Sequence, residues 1–272
     1  MFAGGYLAAL TATRRWHQHW GASEQEITRP LPGDDLIPAA RLDSTHAITI
    51  HAPADRIWPW LAQMGYEDRA GTYSYDLFEQ SIGRNLDRLD PDIAPLAAGG
   101  TMAFYPGAPM TVAVADPPNA LVLWQVTSAG AAIDPAGAWG DDHVAWTWAF
   151  VLEPVDAATT RLLVRMRVGY HPAGKWAPYM WLLVEPAHFV MGRRQLLGIQ
   201  RRAEAKLDDG QGHPGPATIR RRRPGQQLGS HEWATPRQPA LILGYARHLW
   251  HRLGLSDGSC GSHLSKAARI SQ

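Results

Sequence analysis

Residues 45–65, THAITIHAPADRIWPWLAQMG, carry the pattern that decides the fold. The first part, residues 45–51, alternates β-branched and small residues, which is typical of a strand, and Ala52-Pro53 ends it. Pro53 suits the first turn of a helix, because that turn needs no amide donor there. Apolar residues then recur at helical spacing: Ile57, Trp58, Leu61, Ala62 and Met64. The stretch predicts a strand that turns directly into a helix ending near Gly65, with a kink at Pro59.

Upstream of this stretch, the pattern predicts a short helix and an extended arm that together span residues 1–43. The helix covers residues 1–21, ends at Gly21, and carries Trp16 and Trp20 one turn apart on one face. Residues 28–43 contain three prolines and a Gly-Asp-Asp sequence, which favour an extended but ordered segment leading into the main domain.

Downstream, residues 73–83 predict a second short helix with Glu79 among aromatic residues. Five strands should follow, joined by connections short enough for an antiparallel sheet. They cover residues 100–105, 110–116, 120–127, 143–153 and 160–170. In residues 143–153 the large apolar side chains alternate with small ones, so one face must point inward. Arg161, Arg165 and Arg167 fall on the other face of the last strand, which predicts a solvated sheet surface.

Residues 175–207 carry the longest helical pattern, and its apolar residues predict the face that packs on the sheet: Leu183, Val190 and Leu197, one heptad apart, flanked by Ala187, Met191, Leu196 and Ile199. Pro186 should bend the helix in its first third. Residues 44–207 would then form one domain. The composition next shifts to Gly, Pro, Gln and Arg, which indicates a disordered basic linker over residues 208–238. Residues 239–272 form a tail with a short amphipathic helix.

Composition and charge exclude several classes of function. The 272 residues are 45% hydrophobic, enough for a sizeable core. The single cysteine, Cys260, rules out an internal disulfide and favours a cytoplasmic location. Residues 208–272 hold 9 Lys and Arg against 4 Asp and Glu, whereas residues 1–207 hold 17 against 21. The main domain thus lacks a basic face, so nucleic acid is not expected as its ligand.

Four stretches resemble the SRPBCC superfamily of START and polyketide cyclase-like proteins, in its actinobacterial form. They are RRWHQHWGASEQEITRPLPGDDLIP (residues 14–38), THAITIHAPADRIWPWLAQMG (45–65), GTYSYDLFEQSIG (71–83) and VEPAHFVMGRRQLLGIQRRAE (184–204). The resemblance implies an α+β helix-grip fold, in which a curved antiparallel sheet wraps around a long C-terminal helix. It also implies a cavity between sheet and helix that takes an apolar small molecule. The loop after Gly83 departs from the usual pattern.

Side chains from these segments are the candidates for lining such a cavity. The strands supply Trp124, Trp146, Trp148 and Met166, whose inward faces meet a cavity or simply fill a core. The polar candidates are Tyr73, Tyr75, Asp76, Glu79 and His188, and Trp58 completes the predicted ligand-binding set. Glu79 and His188 are the candidate acid–base pair. The alternative for His188 is a structural histidine that bonds to backbone or water.

Other chemistries find no support in the sequence, so no cofactor and no metal are expected. His17 and His19 lie two positions apart on a helix, and their rings therefore leave on different faces. No glycine-rich phosphate loop and no serine nucleophile elbow occur. The apolar run at residues 2–10 is too short to span a bilayer, and its positive charges follow it, unlike those of a secretory signal.

Three functions remain open from the sequence. The first is a non-catalytic carrier or sensor that binds a lipid, a polyketide or a similar hydrophobic or amphipathic molecule. The second is an enzyme of the polyketide cyclase/dehydratase kind, which would use Glu79 or His188 as acid or base. The third is a module recruited weakly to a membrane surface through the arginine run at residues 220–223 and the helix behind it. The oligomeric state is not predicted.

Overall fold

A computed structural model of the chain describes residues 2–66, 69–75, 85–103, 109–128 and 141–205. Its helices are α1 (Phe2–Gln18), α2 (Glu24–Thr28), α3 (Ala54–Gln63), α4 (Ala173–Tyr179) and α5 (Glu185–Glu204), with a π-helical turn (Met180–Val184) between the last two. Its strands are β1 (Leu42–Ile50), β2 (Thr101–Ala103), β3 (Pro109–Asp116), β4 (Ala120–Ser128), β5 (His143–Asp156) and β6 (Thr159–His171).

The predicted strand-to-helix turn is confirmed. β1 ends at Ile50, and Pro53 stands as the residue before the first turn of α3 in an extended conformation. Pro59 lies inside α3, as predicted. One face of α3 is buried, and Ile57 and Leu61 have no exposed surface. This face joins the main core, which also contains Ile48, Ile50, Leu123 and Phe150 from the sheet.

The strands form one antiparallel sheet in the order β1-β6-β5-β4-β3-β2. Cross-strand partners share a face, so the register identifies the two sides. Ser44 of β1 is paired with Met166 of β6, which is paired with Trp148 of β5, which is paired with Leu123 of β4. The inward face predicted for β5 is therefore confirmed and extends across four strands.

The prediction that Arg161, Arg165 and Arg167 lie on a solvated sheet face is wrong, because the N-terminal arm covers that face. Arg165 is 2% exposed. Apolar residues of the arm pack on the same face: Leu31 lies with Ala47 and Leu163, and Ile37 lies with Val126 and Ala145. The arginines are thus the polar contacts between two layers and not a surface.

Arg165 is the centre of these contacts. Its guanidinium donates to Thr45 Oγ1 (3.0 Å), to Asp34 Oδ2 (2.6 Å) and to the backbone oxygens of Glu26 (2.7 Å), Ile27 (2.8 Å) and Arg29 (2.9 Å). Its two neighbours bind the arm in the same way. Arg161 pairs with Glu26, and Arg167 pairs with Asp43 and the Ile37 carbonyl. The arm is therefore ordered by hydrogen bonds that the sheet supplies.

The last described helix buries only part of the apolar face predicted for it, because Leu196 and Ile199 are buried whereas other members of that face are not. Leu183 is 40% exposed and Val190 is 48% exposed, so the first part of the predicted heptad row points outward. The buried row is largely polar or small: Glu185, Gly192, Gln195, Leu196, Gly198, Ile199, Arg202 and Ala203. Pro186 lies in the first turn of α5, directly after the π-helical turn, so the helical irregularity is where the sequence placed it.

Gly198 marks the closest approach of α5 to the rest of the domain. A Cβ at this position would lie 2.4 Å from the backbone oxygen of Tyr73, a distance that no side chain tolerates. Arg202, one turn later, lies over the Tyr73 ring and donates to the Leu86 carbonyl. These contacts fix the C-terminal half of α5 against Tyr73 and Leu86.

An antiparallel sheet with a long final helix on its inward face is the α+β helix-grip architecture that the resemblance implied, and this prediction is confirmed. Tyr73 to Tyr75 form a bend and not the start of a helix, since Tyr73 has a φ of 59°. The remainder of the predicted helix 73–83 lies outside the described residues. So do the predicted linker 208–238 and the tail 239–272.

Candidate functional site

Two histidines and a tryptophan meet where α5 crosses the inward face of the sheet. The His188 ring stacks on the His46 ring with centroids 5.5 Å apart and planes 17° apart. The edge of the Trp148 indole lies against His188 at 5.4 Å. Met166 is the cross-strand partner of Trp148, so it lies beside this group on the same face. The sheet and the last helix thus bring together three predicted residues, Trp148, Met166 and His188, around an additional one, His46.

The position of His46 follows from strand alternation. Residues Thr45, Ala47 and Thr49 face the arm, and His46, Ile48 and Ile50 face α5. His46 is 1% exposed, and its Nε2 lies 2.7 Å from the backbone oxygen of His17. A carbonyl only accepts, so Nε2 carries the proton and Nδ1 is left as an acceptor in the neutral ring.

Both rings are neutral near pH 7. Burial lowers the pKa of His46 to about 4, although the bond to the His17 carbonyl partly opposes the shift. Burial also lowers the pKa of His188 to about 3, and the neighbouring His46 adds to the effect. An imidazole with so low a pKa is a weak base. It is also a poor proton acceptor for catalysis near pH 7, since general acid–base catalysis is most efficient when the pKa lies near the working pH.

His188 is only partly buried by the residues around it. Its side chain is only half-buried, yet the surrounding protein lowers its pKa strongly. In the part of the chain that the structure describes, no hydrogen bond reaches its ring nitrogens. A half-buried polar ring beside aromatic side chains is the kind of group that ligand sites use.

A buried ion-pair cluster holds α1 and α5 together next to the histidines. Glu185 is 2% exposed and accepts from Arg14 Nε (3.0 Å), Arg14 Nη2 (3.1 Å) and His17 Nε2 (2.8 Å). The backbone of His17 then receives the bond from His46. The cluster therefore fixes the His46 ring by fixing the carbonyl to which it donates.

Two buried polar atoms on the inward side have no hydrogen-bond partner in the described structure. They are Ser44 Oγ on β1 and Gln195 Oε1 on α5, and both residues are 2% exposed. Gln195 Nε2 donates to the Thr72 carbonyl at 3.0 Å, so its amide orientation is set by that bond. A buried polar atom without a partner costs about 1–3 kcal/mol unless a water or ligand satisfies it.

Trp124 was predicted to line the cavity, and its position on the sheet contradicts this. Its cross-strand partner is Thr147, whose own partner is Arg167, so Trp124 lies on the face that the arm covers. It packs there with Leu36 and Ile37. Trp146, in contrast, is on the inward face with Trp148 and contacts both inner clusters.

Tyr73 and Tyr75 meet α5 farther along the helix than His188, at Gly198 and Arg194. Trp58 is partly buried against the main core. Tyr73 is 1% exposed, and its hydroxyl donates to the Trp60 carbonyl and accepts from Gln63. Tyr75 is 39% exposed beneath Arg194. Glu79 and Asp76 lie outside the described residues, so the predicted pairing of Glu79 with His188 is not tested.

Within the described ranges, no three His, Cys, Asp or Glu side chains are close enough together to hold a metal ion. His17, one of the histidines weighed as a ligand, is bound to Glu185 instead. The chemical character of the site is that of an apolar surface with a few neutral hydrogen-bonding groups. It contrasts with the ion-pair cluster, whose charges are mutually satisfied.

Comparisons with known proteins found likeness in structure alone. No family model matches the chain, and no curated protein matches it. Similar solved structures include a polyketide_cyc-like protein from Corynebacterium glutamicum, with 15% identity over 63% of this chain and 96% of that chain and a TM-score of 0.34. A hypothetical protein from Helicobacter pylori is 15% identical over 67% of this chain and 98% of its own, with a TM-score of 0.38.

A third similar structure is a di-domain ARO/CYC protein, which is 18% identical over 60% of this chain and 46% of that chain, with a TM-score of 0.35. The fold assignment itself rests on this chain's own strand order, its uniformly antiparallel pairing and the place of its final helix. By those features, the chain has the helix-grip fold.

Proposed function

We propose that this chain is a non-catalytic carrier or sensor that binds a hydrophobic small molecule between the inward face of the sheet and α5. The observation that carries the proposal is the position of His188: this half-buried residue of α5 meets the His46 ring and the edge of the Trp148 indole on the inward face of the sheet. Ligand sites in proteins combine such an apolar wall with a small number of polar groups.

The polar groups indicate which ligands would fit. Ser44 Oγ and Gln195 Oε1 are buried atoms with unused hydrogen-bonding capacity, and His188 adds a neutral ring that both donates and accepts. The two charged residues on the buried face of α5, Glu185 and Arg202, are already engaged with protein partners. A ligand with an apolar body and a neutral hydroxyl or carbonyl suits this surface, whereas a carboxylate would be buried without a cation.

Acid–base catalysis by His188 has less support than ligand binding. The low pKa of His188 makes it a poor base near neutral pH. A cytoplasmic location, inferred from the single cysteine, belongs to the proposal as well.

The first experiment would identify what the purified full-length protein carries, by native mass spectrometry followed by solvent extraction. A matched pair of probes then tests the ligand class by titration calorimetry: 1-naphthol, which is neutral, and 1-naphthoate, which is charged. We expect naphthol to bind at least about ten-fold more tightly, because the described residues of the site offer no free cation to the carboxylate. Absence of any co-purifying apolar molecule, together with no binding of naphthol, would refute the proposal.

Two tryptophans on neighbouring strands provide a matched pair of variants. Trp148→Leu removes an aromatic wall of the proposed site, and Trp124→Leu removes a tryptophan from the opposite face of the same sheet. We expect Trp148→Leu to weaken naphthol binding about ten-fold and Trp124→Leu to leave it unchanged. If both variants weakened naphthol binding equally, the probe would have to bind outside the proposed site.

A further inference from the structure

The contact of α1 with α5 and the preceding π-helical turn has an apolar outward side, and none of the described elements covers it. It consists of Tyr6, Leu7, Trp16, Leu183 and Val190, which we call the seam surface. These side chains are exposed by 50%, 40%, 58%, 40% and 48%, respectively. Single exposed apolar residues are ordinary, but a group of five on two adjoining helices marks an interaction site.

Three contacts show that the members of the seam surface adjoin one another. Tyr6 donates from its hydroxyl to the Leu182 carbonyl, beside Leu183. Trp16 meets the edge of Phe189 at 4.9 Å, beside Val190. The Arg14–Glu185 ion pair lies between these two points. The two helices therefore run side by side, and the exposed residues follow their common outer edge.

Helix α1 adds to the apolar character of this side. Residues 2–13, FAGGYLAALTAT, contain no charged residue, and residues 4–9 are all exposed. Only Leu10 and His17 of the helix are buried among its described side chains. A helix that is apolar and exposed over three turns is poorly matched to water, although it is well matched to the boundary between lipid headgroups and acyl chains.

Most of the charges near the seam surface are positive. Residues 2–18 and 180–200 contain four arginines and a single acidic residue, Glu185, which is buried against Arg14. Arg193 and Arg194 are exposed, and they lie within one turn of Val190. Arg15 is also exposed, and its pair with Glu24 is fully open to solvent on both sides, so it contributes little. An anionic partner complements this pattern.

We propose that the seam surface docks on an anionic phospholipid bilayer, with Trp16 and Tyr6 at the level of the headgroups. Both residues combine an apolar ring with a polar group, which is the type of side chain that membrane interfaces favour. None of the described helices is long and apolar enough to cross a bilayer, so docking would be peripheral. This site differs from the arginine run at residues 220–223, and it does not depend on the identity of the ligand.

The test is flotation of the full-length protein with vesicles of phosphatidylcholine, alone or with about 30% phosphatidylglycerol. We expect binding to the anionic vesicles that weakens as salt is added. The double variant Leu183→Ser/Val190→Ser should bind about ten-fold more weakly, because it removes apolar surface that would enter the interface. Val155→Ser, which changes a valine 63% exposed at the end of β5, is the matched control and should bind like the wild type.

A charge pair and a tail variant complete the test. Arg193→Gln/Arg194→Gln should lower binding to anionic vesicles several-fold and make that binding less dependent on salt. Arg201→Gln should change neither the binding nor its salt dependence. Failure of the wild type to bind anionic vesicles would overturn the proposal. It would also be overturned if replacing Arg220 to Arg223 with Gln removed all binding while Leu183→Ser/Val190→Ser removed none. A dimer by light scattering that this double variant converts to a monomer, without vesicle binding, would assign the surface to a second copy.

Discussion

Replacing Arg165 with Met should unfold the contact between the N-terminal arm and the sheet. The methionine retains the apolar stem of the side chain and removes the five hydrogen bonds of the guanidinium. The acceptors that remain are Thr45 Oγ1, the Asp34 carboxylate and three backbone oxygens. Arg165 is 2% exposed, so water has no ready access to replace it.

The cost follows from what is left behind. Removing one partner of a buried ion pair typically costs about 3–5 kcal/mol, because the other charge stays buried without compensation. Asp34 retains the amide of Leu31 as a donor, and Arg167 lies 3.9 Å away, which places the expected loss at the lower end, about 3 kcal/mol. Urea unfolding followed by circular dichroism should show a clearly lower midpoint with an unchanged slope.

Arg201→Met is the matched control for this experiment. Arg201 is 63% exposed, and its partner Asp87 is 78% exposed, so this pair should contribute less than about 0.5 kcal/mol. Limited proteolysis gives a second measurement, because a loosened arm should be cleaved between residues 22 and 41 before the sheet unfolds. A loss below about 1 kcal/mol for Arg165→Met, with the arm still protected, would refute the view that this arginine holds the arm.

Three further predictions concern α5. Gly198→Ala should destabilise the domain by about 1–3 kcal/mol, because its Cβ would meet the Tyr73 carbonyl at 2.4 Å, whereas Gly192→Ala, whose nearest contacts are 3.7 Å, should be neutral or stabilising in thermal unfolding. Since the pKa of His188 is about 3 in the folded state, only the unfolded chain takes up this proton as the pH falls below about 6.5. The free energy of unfolding should therefore decrease by about 1.4 kcal/mol per pH unit from this group, and His188→Gln should remove that part of the slope in urea titrations between about pH 6.5 and 4.5. Glu185→Gln should destabilise the domain by about 2–3 kcal/mol in the same assay, because it removes a buried charge that the buried His17 and the partly exposed Arg14 share, and no change would show that the cluster is dispensable.

The inward face of the sheet could be predicted from the sequence, but the burial of its outer face by the N-terminal arm could not. Alternation in β5 and β6 assigns each side chain to one of two faces, and this assignment holds for Trp146, Trp148 and Met166. It does not tell whether a distant segment covers the second face. The acceptors of Arg165 come from residues more than 100 positions earlier in the chain, so local periodicity carries no sign of them.

The orientation of α5 was mispredicted for a related reason. The heptad of Leu183, Val190 and Leu197 indicated a buried row, since apolar residues usually face the core. In the structure, specific partners decide the orientation: Gln195 bonds to the Thr72 carbonyl, and Arg202 bonds to the Leu86 carbonyl. Buried polar groups with good partners can outweigh an apolar row, and those partners are invisible in a single helix pattern.

The candidate site was found in part. His188 stood out as a polar residue in an apolar segment, and it contacts His46 and Trp148 on the inward face, although its role in a site stays a prediction. His46 was missed, although alternation within residues 45–51 places it with Ile48 and Ile50 on the inward face. Trp124 was misassigned because its face depends on the pairing register with β5, which sequence alone does not fix.

The two proposals of ligand binding and membrane docking use opposite sides of α5, and this makes them separable. Leu183 and Val190 point away from the sheet, whereas His188 and Gln195 belong to the side that faces it. Leu183→Ser/Val190→Ser should therefore bind naphthol like the wild type, and Trp148→Leu should float with anionic vesicles like the wild type. If each variant instead lost both activities, α1 would have to be coupling them, since His17 bonds to Glu185 and, through its carbonyl, to His46. Circular dichroism of each variant would then separate such coupling from a general loss of the fold.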